Sequence, residues 1–189
     1  MTQNGFLEMV SYICIIHSVR ESVRLGEHNL DTEKDCDEFC TDPIQDYDVE
    51  KVIPHENFDA HKLKNDIALL RLKKKVPKYT DDSHGSSELK FTQVYGTPLE
   101  DCSPLQPEQM QPLSESQLCA GGTLGEDACR GDSGGPLMEV HQHPKRRSAQ
   151  FFQMGIVSFG AIPCGAHMAP SVYTRVASYL NWILDHIEG

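Results

Sequence analysis

The sequence lacks both a surplus of positive charge and a long hydrophobic run. Its 17 Lys and Arg stand against 28 Asp and Glu, which gives a formal net charge of -11. Non-specific nucleic-acid binding needs the opposite balance. The apolar run from Met9 to Ile16 is too short to cross a bilayer. The stretch before it carries no base, so it does not predict a signal peptide either. We therefore expect neither a nucleic-acid partner nor a membrane span.

Cysteine pairs of the CxxC type, typical of zinc and thioredoxin-like sites, are also absent although the chain has seven cysteines. Cys36 and Cys40 are close enough to close a small loop, and the later cysteines bracket turn-rich segments. This usage is typical of disulfides in an oxidising compartment. We therefore expect an extracellular protein, although its first residues supply no signal peptide.

Short apolar or alternating runs separated by turns predict a mainly β protein. The runs are Val23–Leu25, Tyr47–Ile53, Asp66–Leu72, Leu89–Val94, Gly155–Phe159 and Val172–Val176. A polar stretch from Thr80 to Ser87 is a candidate boundary between two lobes. Helical spacing in 177–187 predicts a terminal helix with a stripe of four residues, namely Leu180, Ile183, Leu184 and Ile187.

One segment carries chemistry, the run Gly-Asp-Ser-Gly-Gly-Pro that contains Ser133. A serine hydroxyl is a poor nucleophile, and it needs a base within reach and N–H groups that bind the oxyanion. Flanking glycines allow the tight backbone that turns such N–H groups inward. Taken alone, the run is moderately specific for such a site, and an ordinary turn is the alternative interpretation.

Four further stretches accompany this loop in a fixed order. They are 23–28 (VRLGEH), 64–70 (KNDIALL), 117–121 (QLCAG), and 157–160 (VSFG) with 164–165 (CG) and 170–176 (PSVYTRV). Together with the serine loop they resemble the trypsin- and chymotrypsin-like serine proteases, from about residue 22 to the end. The resemblance implies an all-β, two-lobed antiparallel β-barrel with a C-terminal helix, in which the first lobe and the lobe junction at about 77–88 are incomplete. Residues 1–21 have no match, and 22–189 form the protease domain.

The resemblance also implies roles for individual residues. Ser133 would be the nucleophile and Asp66 the carboxylate that orients the catalytic imidazole. The backbone N–H groups of Gly131 and Ser133 would form the oxyanion hole.

The substrate-binding residues implied by the resemblance are Asp127, Ser158, Gly160 and Ser171. Asp127 would lie at the floor of the specificity pocket, where a carboxylate pairs with a substrate Arg or Lys. Ser158 and Gly160 would bind the substrate backbone. Ser171 stands where such pockets usually have glycine, so its hydroxyl is expected to narrow the pocket.

The expected disulfides are Cys102–Cys119, Cys129–Cys164 and Cys36–Cys40, which leaves Cys14 as the odd cysteine. A finer likeness lies in the loop from Leu25 to Cys40, which resembles that of arthropod clip-domain proteases. This likeness implies a secreted cascade in innate immunity, with protein substrates cut after Arg or Lys and with cascade proteases or serpin-type inhibitors as partners. No cofactor is required. A structural calcium ion held by Glu27 and Asn29 is one reading of this loop, and a solvated acidic loop is the other.

Three expected features are missing. The family's Ala-Ala-His-Cys stretch is absent, and His17 alone lies in the right region, in the different context Cys-Ile-Ile-His-Ser. An activation segment that would supply an amino group to Asp132 is not found before Ser22, and a Gly-Trp-Gly strand is missing from the lobe junction. We therefore expect a truncated protease chain with exposed sheet edges.

Three functions stay open at this point. The first is a trypsin-like serine endopeptidase. The second is a non-catalytic protease homologue that acts as a binding or regulatory module, favoured by the missing histidine stretch. The third, a calcium-binding or purely structural disulfide protein, rests on the acidic loop alone.

Overall fold

The computed structural model describes residues 12–13, 22–25, 44–74, 91–129, 131–142, 149–160, 164 and 168–187. Its strands are β1 (Tyr12–Ile13), β2 (Ser22–Leu25), β3 (Gln45–Pro54), β4 (Ala68–Leu72), β5 (Gly96–Thr97), β6 (Gln117–Ala120), β7 (Pro136–Gln142), β8 (Ala149–Phe159) and β9 (Ser171–Arg175). Its helices are α1 (Leu99–Cys102) and α2 (Leu180–His186), with 3-10 turns at Ser103–Leu105, Glu108–Met110 and Val176–Tyr179. No helix in this part of the chain has the length and apolar character needed to cross a bilayer.

The strands form two antiparallel sheets, one for each lobe. The first has the order β1-β4-β3-β2 and the second the order β5-β6-β9-β8-β7. In β4, Ala68, Leu69 and Leu70 are all buried, which explains why this strand reads as a continuous apolar run. The all-β prediction is confirmed. Within the described ranges, however, both sheets are open and neither closes into a barrel. The expected junction at 77–88 lies outside the described residues.

Two local predictions were wrong. Residues 91–95 have no regular structure, and the strand expected at 89–94 appears only as β5, which starts at Gly96. Helical spacing also placed Leu180 and Leu184 on the buried side of the last helix, but both side chains are more than half exposed. The buried side instead consists of Tyr179 and the partly buried Trp182 and Ile183.

A small apolar cluster joins the two sheets. Ile67, just before β4, packs with Ile156 of β8 and with Tyr179 ahead of α2, and all three are buried. Trp182 and Ile183 pack against the same cluster. The C-terminal segment is therefore bound to both lobes, and it brings the start of β4 against the middle of β8.

Replacing Ile67 by Ala should lower the free energy of unfolding by about 2–5 kcal/mol, because a fully buried side chain at the junction of the lobes is truncated. Denaturant titration followed by fluorescence of Trp182, the single tryptophan, measures this at the same junction. Leu184→Ala is the matched control, since its side chain is 62% exposed, and it should change stability by less than about 1 kcal/mol. Equal losses in both variants would contradict the assignment of the core.

Candidate active site

Asp66 lies in a sharp turn that leads into β4. Leu63 and Asn65 both have left-handed backbone conformations, with φ of 47° and 53°. Asparagine adopts this region readily, whereas leucine seldom does, so surrounding contacts must hold Leu63 there. The Ile67 N–H donates to the Asn65 carbonyl at 2.9 Å, which closes the turn. The Asp66 side chain, between them, is 1% exposed.

Four side chains of the second lobe hold this first-lobe turn. The Ser158 hydroxyl donates to Asp66 Oδ2 at 2.6 Å, and the Thr174 hydroxyl donates to the Asp66 carbonyl at 2.8 Å. The Tyr179 hydroxyl donates to Asn65 Oδ1 at 2.9 Å, and Gln117 Nε2 donates to the Leu63 carbonyl at 3.3 Å. These bonds fix both the strained backbone and the carboxylate, so Asp66 is oriented by the lobe that does not contain it.

A β-bulge in β8 aims the serine at Asp66. Val157 pairs with Tyr173 and Phe159 pairs with Val172, so Ser158 is the extra residue between two regular pairs. Bulges interrupt the regular alternation of side chains and are common beside active sites. Here the bulge coincides with Ser158, whose hydroxyl donates to the carboxylate and which is itself buried.

Hydrogen bonds between Cys129 and Asp132 stabilise the loop that carries Ser133. The Asp132 N–H donates to the Cys129 carbonyl at 3.0 Å, while Asp132 Oδ2 accepts from the Cys129 N–H at 2.8 Å. Gly131 has a φ of 99°, a conformation that favours glycine. Ser133 itself is exposed. The expected disulfide Cys129–Cys164 is present and ties the loop to a later segment.

The serine loop and Asp66 share one support. The Gly134 N–H donates to the Val157 carbonyl at 3.0 Å, and the Val157 N–H donates to the Gly135 carbonyl at 2.9 Å. The next residue along β8 is Ser158, which holds the Asp66 carboxylate. Two consecutive residues of one strand thus position the serine loop and the buried carboxylate of the other lobe.

Asp127, six residues before Ser133, is half-buried. Asp127 Oδ1 accepts from the Ala128 N–H at 2.8 Å. A Cβ atom at Gly121 would lie 2.5 Å from the same oxygen, so a side chain at Gly121 would displace the carboxylate. Gly121 therefore leaves the space that Asp127 occupies.

Gly160 and Ser171, two of the residues predicted for the pocket, meet directly. A Cβ atom at Gly160 would lie 2.4 Å from Ser171 Oγ, and Ser171 is buried. The hydroxyl of Ser171 therefore occupies the space that a side chain at position 160 would need. The structure thus places these two residues, both predicted to bind substrate, next to each other.

Tyr173 in β9 is buried and is close enough to Asp127 and Asp132 for both charges to affect its phenol. Burial, together with the charges of Asp127 and Asp132, raises the pKa of Tyr173 to about 12. Its phenol is therefore neutral throughout the physiological range, and it contributes a buried ring rather than a charge beside the loop.

Two described histidines surround Glu56, near the end of β3. His186 Nε2 lies 3.0 Å from Glu56 Oε1, and the Trp182 indole N–H donates to Glu56 Oε2 at 3.0 Å. The Glu56 backbone N–H, the Trp182 bond and the charges of His186 and His55 lower the pKa of the Glu56 carboxyl against the opposing effect of desolvation. These histidines therefore contribute to the contact between α2 and the segment that follows β3.

Several predicted residues lie outside the described residues. They are His17, the two candidate calcium ligands Glu27 and Asn29, and the cysteines Cys14, Cys36 and Cys40. Among the described side chains, no group of three or more His, Cys, Asp or Glu is arranged to hold a metal ion. The other expected disulfide, Cys102–Cys119, is present.

Sequence reasoning missed the residues that support Asp66. Gln117 and Thr174 both lie in stretches that were recognised as matching the family, and both are buried polar side chains. Buried polar groups require hydrogen-bond partners, so a polar residue within an apolar strand pattern was the available signal. The sequence could not identify the partner, because the turn that contains Asp66 is about fifty or more residues away in the chain.

Comparisons with known proteins agree with this geometry. The trypsin family model matches residues 14–81 and 77–183. The chain is 36% identical to the CLIP domain-containing serine protease HP8 of Bombyx mori, over 88% of this chain and 53% of that protein. It is 34% identical to Melanization protease 1 of Drosophila melanogaster, over 88% of this chain and 51% of that protein.

The crystal structure of the Drosophila Grass clip serine protease of the Toll pathway superposes with a TM-score of 0.74 at 30% identity. The superposition covers 94% of this chain and 62% of that one. The chain thus spans about half the length of the curated relatives that it matches. The chain belongs to the trypsin family of serine proteases.

Proposed function

We propose that the chain is a serine endopeptidase domain that cleaves peptide bonds after Arg or Lys. One observation carries the proposal most: the Ser158 hydroxyl fixes the buried Asp66 carboxylate, while the preceding residue of the same strand holds the loop of Ser133. A general base between a serine and such a carboxylate would be held in one orientation and one tautomer.

In the proposed mechanism, Ser133 Oγ attacks the carbonyl carbon of the scissile bond. Its proton passes to an imidazole that donates its other N–H to Asp66, and His17 is the candidate for that imidazole. The N–H groups of Gly131 and Ser133 bind the oxyanion. The imidazole then protonates the leaving amine, and water releases the acyl group by the same steps in reverse.

In this proposal, the preference for Arg or Lys comes from Asp127, and Ser158, Gly160 and Ser171 form the adjacent part of the pocket. A carboxylate at the floor of a pocket selects a cationic side chain through a charge-assisted bond. Ser158 uses its hydroxyl for Asp66, so its backbone groups, together with those of Gly160, are the ones that we assign to the substrate. Ser171 reduces the space in front of Gly160 and narrows the pocket.

The proposed setting is an extracellular proteolytic cascade of innate immunity. Disulfides within the described residues fit an oxidising compartment. Two relatives carry names that refer to melanization and to the Toll pathway. On this proposal the substrates are proteins with Arg or Lys at the cleavage site, and the partners are other cascade proteases and serpin-type inhibitors.

A fluorophosphonate probe should label Ser133 in the folded chain, because the probe reacts with a serine that a base activates beside an oxyanion site. Mass spectrometry of the labelled peptide locates the adduct. Ser133→Ala should abolish labelling, and Ser148→Ala is a control with the same chemical change elsewhere. A folded chain that stays unlabelled would contradict the proposal.

Asp127→Asn should lower kcat/KM for arginyl and lysyl amides by about 10³-fold or more, because the pocket loses the charge that pairs with the substrate. The amide is isosteric, so it fits the space that Gly121 leaves. Labelling of Ser133 by a small, uncharged fluorophosphonate should remain unchanged. Turnover of arginyl amides at the parental rate would show that the specificity lies elsewhere.

A non-catalytic homologue is the second candidate, favoured by the unusual sequence around His17. The two functions differ in what His17→Ala does. In an active peptidase with this base, the substitution should lower kcat by about 10²–10⁴-fold and leave folding intact. A chain that binds a cascade protease but shows no turnover, with or without His17, would identify the binding module.

A further inference from the structure

The hairpin formed by β7 and β8 is the most exposed part of the second sheet. β7 lies at the end of the strand order, and β8 is its single neighbour among the described strands. One face of the hairpin carries Met138, Val140 and Phe151, whose exposed fractions are 51%, 54% and 64%, respectively. Strand edges and apolar patches of this kind are sites of pairing with another chain.

The register of the hairpin defines the two faces. Val140 is paired with Phe151, and the alternation of β7 places Met138 on the same side as Val140. Glu139 and His141 point to the opposite side, where His141 packs edge-on against Phe152 with ring centroids 5.1 Å apart. His141 Nε2 also lies 3.3 Å from Glu139 Oε1.

The ionisable residues of β7 are ordered so that the strand is complementary to an antiparallel copy of itself. In an antiparallel pair centred on Val140, Glu139 of each copy lies opposite His141 of the other, so an acid faces a base twice. A parallel pair in register would place Glu139 beside Glu139, which is unfavourable. The same antiparallel register brings the two copies of Val140 into direct contact and joins their apolar faces.

We propose that β7 pairs antiparallel with β7 of a second copy of this chain, with Val140 on the two-fold axis. The two five-stranded sheets then form one continuous sheet across the interface. The contact is isologous, so it closes at two copies instead of growing into a filament. Because β7 directly follows the loop that carries Ser133, the dimer contains two such loops, each next to the shared interface strand of its own copy.

The register can be tested by disulfide trapping. Cα atoms directly opposite in an antiparallel pair are about 4.5–5.5 Å apart, which lies within the range that a disulfide bridges. Val140→Cys should therefore give a covalent dimer under mild oxidation. Met138→Cys is the matched control on the same face, because the two Met138 positions would be four residues apart along the strand, about 13 Å. It should give no more covalent dimer than the parent chain.

Charge variants test the complementarity in solution. Sedimentation velocity at high protein concentration should show a dimer for the parent chain. Glu139→Lys should shift it to monomer, whereas the exchanged pair Glu139→His with His141→Glu keeps the complementarity and should restore the dimer. Glu100→Lys, with the same charge change on α1, should leave the dimer unchanged. Fluorescence of Trp182 checks that each variant is folded.

Several outcomes would overturn the proposal. A parent chain that stays monomeric at every concentration does so, as does a series of higher oligomers without a defined dimer. Equal trapping through Cys at 138 and 140 would show unspecific contact, and a dimer that persists in Glu139→Lys would place the interface elsewhere. None of these readouts depends on peptidase activity.

Discussion

The hydrogen bond from the Ser158 hydroxyl to Asp66 Oδ2, at 2.6 Å, is the contact on which the arrangement of the site depends. A carboxylate that is 1% exposed is costly unless donors surround it. Its turn also contains Leu63 in a left-handed conformation, which must be held from outside. The second lobe supplies those contacts through side chains of β6, β8, β9 and the turn before α2. The two lobes must therefore dock before Asp66 reaches its final position.

The bulge at Ser158 makes one strand serve two purposes. Val157 keeps the backbone bonds that hold the serine loop, and the extra residue after it turns its hydroxyl towards the first lobe. A regular strand would send the side chains of Val157 and Ser158 to opposite faces of the sheet, and the bulge changes this alternation at Ser158. The geometry of the site is thus a property of β8 rather than of the serine loop alone.

The candidate site residues could be chosen from the sequence because its glycine, aspartate and serine residues occur in short local motifs, and their catalytic roles stay a prediction. The strands β3 and β4, the disulfides at Cys119 and Cys129, and the trypsin family followed from such motifs. The remainder depends on contacts between distant segments. The bulge at Ser158 is set by pairing with β9, and Leu184 is exposed because Trp182 and Ile183 take the buried side of the last helix. No local periodicity contains that information.

The most direct test of the central role of Ser158 is the rate at which a fluorophosphonate labels Ser133 in Ser158→Ala. The variant removes the hydroxyl that donates to Asp66 Oδ2, a loss of about 1–3 kcal/mol. We expect a labelling rate at least about tenfold lower than that of the parent chain, with the variant still folded. Labelling of Ser158→Ala at the parental rate would show that the site does not depend on the bond between the lobes.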